Sequence, residues 1–288
     1  MADPEPIGAL FCSEQLAARV ERAEAGLIVG GVEGALRRDP DGGHLAREIA
    51  GGWATWGGEG SPLNKVVGLG FGGPVPEAGL EPIEREMAER GAPVRVELSS
   101  LAGGGVAEML SRRGYRLVGF ENVLGLSLPA ARLPAHGPAI SIELTGEGEH
   151  DLWMSTVVDG FAHPDEQGVA SDEEFPRDAL ERVFSDLAAA SGFRRYVARR
   201  EGELAGGASL RLDEGGVAQL CGAATLPAHR RRGVQTALLA HRLRDAAENG
   251  CDLAVVTTQP GSKSQENVQR LGFHLLYARA VLVLAPRA

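Results

Sequence analysis

The chain has 288 residues, of which 43% are hydrophobic and 24% charged, a composition suited to a globular protein and a length suited to two domains. With 39 Asp and Glu against 29 Lys and Arg its net charge is -10, so it lacks the basic excess that grips phosphate backbones, which excludes nucleic acid as a general partner. Its three cysteines, Cys12, Cys221 and Cys251, lie far apart without a CxxC pair, which excludes a disulfide framework and a cysteine zinc site.

The first residues, MADPEPIGALFCSEQ, place prolines and acids where a secretory signal needs basic residues and an apolar run. No stretch is long enough to span a bilayer, so the expectation is a cytoplasmic monomer or homodimer with no membrane partner. Trp53 and Trp56, in GGWATWGG, sit on a strand-like segment and either line a pocket or pack on a core. Val66 to Gly73, VVGLGFGG, spaces Gly68, Gly70 and Gly73 as G-x-G-x-x-G, and Glu97 further on imitates the ribose-binding acid of a dinucleotide site. Pro74 and Pro76 count against that reading, because they delay the helix that the last glycine should open. A helical pattern then ends at Arg90-Gly91, a strand reads VRVEL from Val94 to Leu98, and after a helix-sized segment Gly114 opens GYRLVGFENVLGLSL.

Pro129 to Ser141, PAARLPAHGPAIS, has three prolines and no steady period, and reads as a linker dividing the chain into residues 1–134 and 135–288. Beyond it a strand is predicted over Ile140 to Leu144 and a helix over Asp178 to Leu187, followed by strands at Tyr196 to Arg199, Leu204 to Leu212 and Val217 to Thr225. Next comes HRRRGVQT, from His229 to Thr236, opening a helix that Gly250 closes. A strand follows from Leu253 to Thr257, then a helix-sized segment, and then Gly272 opens GFHLLYARAVLVLAP. Gly114 and Gly272 lie 272 minus 114, or 158, positions apart, and the runs before them repeat at nearly the same offset, as a duplicated domain would. The fold class is therefore α/β with a mixed, mostly antiparallel sheet, in two tandem repeats.

Three consecutive arginines at a helix start oppose the helix dipole unless an anion compensates them. The free N–H groups there, with Gly233 allowing close approach, read either as a pyrophosphate site or as a solvated basic turn balanced by acids. RRRGVQ between a strand and a helix resembles the acyl-coenzyme A loop of the GNAT N-acetyltransferase superfamily, Q/R-x-x-G-x-G/A, with Arg230 in the first position and Gly233 in the fourth. Gln235 departs from the final small residue. Ser264-Gln265-Glu266-Asn267 and Leu271-Gly272-Phe273 are similar to the family's fourth helix and the turn after it, and the resemblance covers about Pro138 to the C-terminus. The tandem arrangement resembles that of the mycothiol synthases, which pair a weaker N-terminal repeat with an active C-terminal one.

The resemblance implies an N-acetyltransferase in which acetyl-CoA lies between the strands at Val217 to Thr225 and Leu253 to Thr257. Its pantetheine would bond the backbone at Leu226, its pyrophosphate would rest on Arg231, Arg232, Gly233, Val234, Gln235 and Thr236, and Ser264 and Asn267 would touch it; Ser264 equally suits a helix cap. A small-molecule amine would attack the thioester directly in a ternary complex. The family's tyrosine acid and glutamate base fall here on Val268 and Gln219, which can do neither task. Tyr277 is the candidate acid, Glu203, Asp159 or His163 the candidate base, and His163 to Glu166 a candidate substrate loop with His163 and Glu166 as contacts. Those same gaps leave open a second class of function, an acyl-CoA-binding protein without turnover. The N-terminal repeat, whose Gly72 and Gly73 stand where the second repeat has Arg231 and Arg232, reads as a degenerate copy that scaffolds the site.

Overall fold

A computed structural model describes residues 10–128, 133–135, 137, 139–163, 169 and 176–286. Glu166 and most of the linker before Ala139 lie outside the described residues. The first repeat consists of α1 (Glu14–Arg38), β1 (Leu45–Ile49), β2 (Gly52–Trp56), β3 (Val66–Val67), α2 (Glu77–Glu89), β4 (Val94–Ser99), α3 (Val106–Arg112) and β5 (Arg116–Ser127). The second consists of β6 (Ile140–Leu144), α4 (His150–Ala162), α5 (Arg177–Ala188), β7 (Phe193–Arg200), β8 (Glu203–Leu212), β9 (Val217–Thr225), α6 (Val234–Glu248), β10 (Leu253–Thr258), α7 (Lys263–Arg270) and β11 (His274–Leu284). The strands and helices expected after the linker all form, within a few residues of their expected ends.

Among the described residues the eleven strands join one sheet, in the order β1-β2-β3-β4-β11-β5-β10-β9-β8-β7-β6. The order carries an exchange. Strand β11 ends the second repeat but pairs with β4 of the first, while β5 ends the first repeat and pairs with β10 of the second. The two exchanged strands pair antiparallel with each other at the centre. Each repeat thus completes the other's sheet, and the halves separated by the linker share one hydrogen-bonded layer.

Alternation along β5 decides what each face buries. Leu124, Leu126 and Leu128 join the core under α6 with Leu238, Leu239 and Leu243, whereas Val123 turns to the opposite face and packs with Ala17, Val20 and Ala23 of α1. Helices α2 and α3 supply Leu80, Ile83, Met87, Met109 and Leu110 to a separate core over β4. Trp56 is buried there and Trp53 packs under α1, so both tryptophans serve cores.

Helix α1 is the long element that the sequence reading did not anticipate. Ser13 caps it by accepting from the Leu16 N–H at 3.2 Å. It spans both repeats: Arg38 makes a two-pronged pair with the buried Asp186 of α5 at 2.9 Å per contact, and Arg19 pairs with Asp252 at the start of β10. Gly34 makes this possible, because a Cβ there would stand 2.3 Å from the Asp186 carbonyl oxygen. Glycine inside a helix costs about 0.5–1 kcal/mol, and the close crossing of α1 over α5 is what it permits.

Candidate active site

Strands β9 and β10 run parallel but pair over only three residues, the last being Gln219 with Val255. Beyond that point they part. A bulge in the β8–β9 register skips Gly222 and bends β9 away. Arg242 of α6, 1% exposed, fixes the bulge by donating from Nη1 to the carbonyls of Ser209 at 2.8 Å and Cys221 at 3.2 Å. Burial pulls this guanidinium down to about 10, a measure of how dry its pocket is.

The Leu226 N–H donates to the Ala205 carbonyl at 3.0 Å, and the Leu226 carbonyl accepts from His229 N at 2.9 Å. Both its backbone groups are therefore engaged, in contrast to the pantetheine contact expected of it. In an antiparallel ladder the amides alternate sides, so those of Ala223 and Thr225 turn from β8 toward the open edge of β9. Sequence reasoning missed these two positions by one step, since the register depends on the ladder and the motif does not show it.

The loop after β9 is built as an anion cradle. Arg231 has φ 59° and Gly233 φ 83°, and the second residue is the N-cap of α6. The first bond into the helix runs from Ala237 N to Gly233 O at 3.0 Å, so helix geometry leaves the N–H groups of Val234, Gln235 and Thr236 pointing outward. A Cβ at Gly233 would meet nothing closer than Ile140 Cδ1 at 3.8 Å, which leaves the mouth of the cradle open. Arg231, Arg232 and Thr236 are exposed beside it, Val234 is buried and Gln235 half-buried. Arg230 turns the other way, donating to the Thr225 carbonyl at 3.3 Å and to the His163 carbonyl.

That bond ties His163 to the arginine loop after β9. On the far side of the parted strands, Val169 N donates to Gly261 O at 3.3 Å, in the turn after β10. His163 itself holds the Asp159 carbonyl at 2.9 Å through Nδ1, and Asp159 pairs with Arg177 at 2.6 Å. On α7 the N-cap is Ser262, which accepts from Gln265 N at 3.2 Å; the capping role offered for Ser264 belongs to it, and Ser264 is exposed. Asn267 is half-buried and Val268 packs in the core.

Most remaining candidates have structural partners. The Tyr277 hydroxyl, on a residue 4% exposed, donates to Glu21 Oε1 at 2.7 Å under α1, and burial raises it well above an ordinary phenol. It is held protonated at the α1–sheet contact. Gln219 accepts from Arg211 at 2.7 Å and donates to Glu24 of α1 at 3.2 Å. Burial pushes the Cys221 thiol up to about 12, which leaves no thiolate for a covalent route. Glu203 is a solvent-exposed side chain near His229. Glu97 is 1% exposed and paired with Lys65 at 2.6 Å, too buried to reach a ribose, and α2 opens at Glu77 well past Gly73.

Under α1 these groups form one buried network. Arg279 donates to Glu21 Oε1 at 2.7 Å and to Thr257 Oγ1 at 3.3 Å, and lies 3.9 Å from Glu24 and 3.6 Å from Glu121. Burial disfavours its charge, but Glu21 and Glu24 outweigh that and raise it well above its usual value.

A parted parallel strand pair, an arginine loop and a left-handed glycine opening the next helix give this mixed α/β fold a basic helix start whose chemistry suits a phosphate group. Residues 161–273 match the Acetyltransferase (GNAT) family. Among solved structures, a GCN5-related N-acetyltransferase from Kribbella flavida superposes with a TM-score of 0.66 at 18% identity, covering 95% of this chain and 96% of that one. A tandem GNAT protein from the clavulanic acid biosynthesis pathway superposes with a TM-score of 0.61 at 13% identity, over 97% and 98% of the chains. A GCN5-related N-acetyltransferase from Sphaerobacter thermophilus does so at 0.55 and 16% identity, over 74% and 67%. No curated protein matches the sequence. The likeness to these structures is one of fold, and it agrees with the tandem mixed-sheet architecture expected from the sequence. Among the described residues no helix is long and apolar enough to cross a membrane.

Proposed function

We propose that this chain is an N-acetyltransferase that passes an acetyl group from acetyl-CoA to the amine of a small molecule, with residues 135–288 as the donor domain and 1–134 as a degenerate repeat walling the acceptor side. The observation that carries this reading is the cradle at the start of α6 beside the free edge of β9. Donor chemistry and shape fit the cofactor: Arg231 and Arg232 with the N–H groups of Val234, Gln235 and Thr236 suit a pyrophosphate, and Gly233 leaves room for it. The amides of Ala223 and Thr225 suit the peptide-like pantetheine arm, and the exposed Ser264 and half-buried Asn267 of α7 are the further cofactor contacts in this reading. Acetyl-CoA, when bound, supplies an activated acyl thioester. Arg230 holds the His163 carbonyl, which keeps His163 beside the loop that opens α6.

A non-catalytic acyl-CoA-binding protein is the second reading, favoured by the locked Gln219 and the buried Val268. Calorimetric titration with acetyl-CoA, with NAD as control, followed by a thiol-release assay over a panel of small amines separates the two. Saturable binding near one site per chain with amine-dependent thiol release supports transfer. Binding without release supports the second reading, and no binding overturns both.

A further inference from the structure

Gln219, where the resemblance places a glutamate base, cannot act as one, yet the strand exchange brings a carboxylate of the first repeat to the edge of the second repeat's cleft. Strand β5 pairs with β10 with Asn122 opposite Thr258 and Val123 opposite Thr257. Glu121 therefore lies one residue past the paired end of β10, at the level where β9 and β10 have parted. Alternation turns it to the α1 face, the face shared by Gln219, Val123 and Thr257. Thr257 is exposed there, and Arg279 Nη1 bridges the Thr257 hydroxyl and the Glu121 carboxylate. Glu121 Oε2 is itself buried and accepts no hydrogen bond, while the side chain as a whole retains 22% exposure. The other acids of the network each accept a hydrogen bond: Glu21 from Tyr277 and Arg279, Glu97 from Lys65, Glu24 from Gln219.

We infer that Glu121, delivered by the exchanged strand β5, is the general base that deprotonates the acceptor amine, with Arg279 as its positioning residue. This rests on the acetyl-transfer reading and names the group which that reading lacks. The carboxylate takes one proton from the acceptor ammonium, the freed nitrogen lone pair forms the N–C bond as the C–S bond breaks, and the electron pair leaves on sulfur. The sulfur takes the second proton from that nitrogen, and Glu121 returns the first to solvent. Charged groups facing Glu121 come from each neighbouring element: Glu97 of β4, Lys65 before β3, Arg279 of β11 and Glu24 of α1. Burial, reinforced by Glu97 and Glu24 against the pull of Lys65 and Arg279, raises the carboxyl to about 7, where a base can both accept and release a proton at neutral pH.

The test uses the full chain with Glu121→Gln and Glu121→Asp. Acetyl-CoA binding by calorimetry is expected to be unchanged in both, while kcat/KM for an active amine falls about 10²- to 10⁴-fold in the Gln variant. The wild-type profile should rise through about pH 7, and the Asp variant should keep part of the rate with that limb displaced. In the free protein, a protonated-carboxyl infrared band that fades through about pH 7 should be missing from Glu121→Gln. A Gln variant with wild-type rate and pH profile overturns the assignment and leaves acetyl transfer standing. A wild-type protein that binds acetyl-CoA but releases no thiol with any amine overturns transfer, and the base with it.

Discussion

Glu121 and Arg279 occupy the same position in the two repeats, 279 minus 121, or 158, residues apart, and face each other across β5 and β11. A position that pairs with its own repeat equivalent lies on the local two-fold axis of the tandem fold. Opposite charges there, 3.6 Å apart, are one way in which the repeats have diverged at the place where they meet. Arg279 also neutralises Glu21, whose carboxylate is 1% exposed. Arg279→Met is therefore expected to destabilise the protein by about 3–5 kcal/mol, because it leaves Glu21 buried with only the Tyr277 hydroxyl as donor. Urea unfolding at neutral pH reads this directly, and a loss below about 1 kcal/mol would show that the pair is dispensable.

The raised Glu121 carboxyl links stability to pH with a definite sign. Its folded value of about 7 lies above the ordinary 4.5, so between those values the native state holds a proton that the unfolded chain has released. That contribution is fully present below about pH 4.5 and is lost as pH rises through about 7. Glu121→Gln should remove the loss: at pH 8 the variant is expected to exceed the wild type in stability by on the order of 2–3 kcal/mol, with the difference shrinking toward pH 5. Denaturation midpoints at the two pH values measure it. Equal slopes in both proteins would place the group's pKa in the ordinary carboxylate range.

Much of the second repeat was legible in the sequence because its signals are local. Period-two strands at β8 and β9, the Arg231 to Gly233 turn and the glycine after α6 each state their own structure within ten residues. The exchange was not legible. Hydrophobic pattern fixes which face of β5 is buried but says nothing of which strand lies beside it, so Glu121 read as an unremarked acid in GYRLVGFENV. Helix α1 was missed since Gly26, Gly30, Gly31 and Gly34 break its helical propensity, and the close crossing over α5 that restores it exists only in three dimensions. Tyr277 drew attention as a lone phenol near the end of the chain, and only the fold shows that it belongs to Glu21.

Tyr277→Phe tests that last point. The variant loses one buried hydrogen bond to a carboxylate that keeps Arg279, so a stability loss of about 1–3 kcal/mol is expected. Its kcat in the thiol-release assay should stay within about tenfold of the wild type, because the hydroxyl is fixed under α1. A drop of about 10² or more with the fold intact would restore Tyr277 as the acid.

Arg242 connects the core to the free edge of β9. Its guanidinium satisfies the Ser209 and Cys221 carbonyls on either side of the bulge at Gly222. Arg242→Met keeps most of the volume but leaves both oxygens without that donor, at a cost of about 1–3 kcal/mol. Since the bulge sets the angle at which β9 leaves β10, acetyl-CoA affinity should fall in parallel. Calorimetry on the folded variant with unaltered affinity would show that the parting of the strands does not depend on this clamp.

The cradle itself separates charge from shape. Arg231 holds φ 59°, a left-handed conformation that costs a side-chain-bearing residue about 1–2 kcal/mol, so Arg231→Gly removes the guanidinium while relieving strain. Stability should remain within about 1 kcal/mol of the wild type, the relief being offset by the extra freedom of glycine in the unfolded chain. Affinity for acetyl-CoA should fall about tenfold or more, the worth of one charge-assisted contact, and should lose part of its salt dependence. Gly233→Glu acts at the other end of the same argument. Its Cβ enters open space but its carboxylate occupies the place of the phosphate at a left-handed position, so binding should disappear while the fold survives with a loss of about 1–2 kcal/mol. Arg231→Gly with full affinity would make the helix amides the sole anion site. Full affinity in a folded Gly233→Glu would move the cofactor away from α6 altogether.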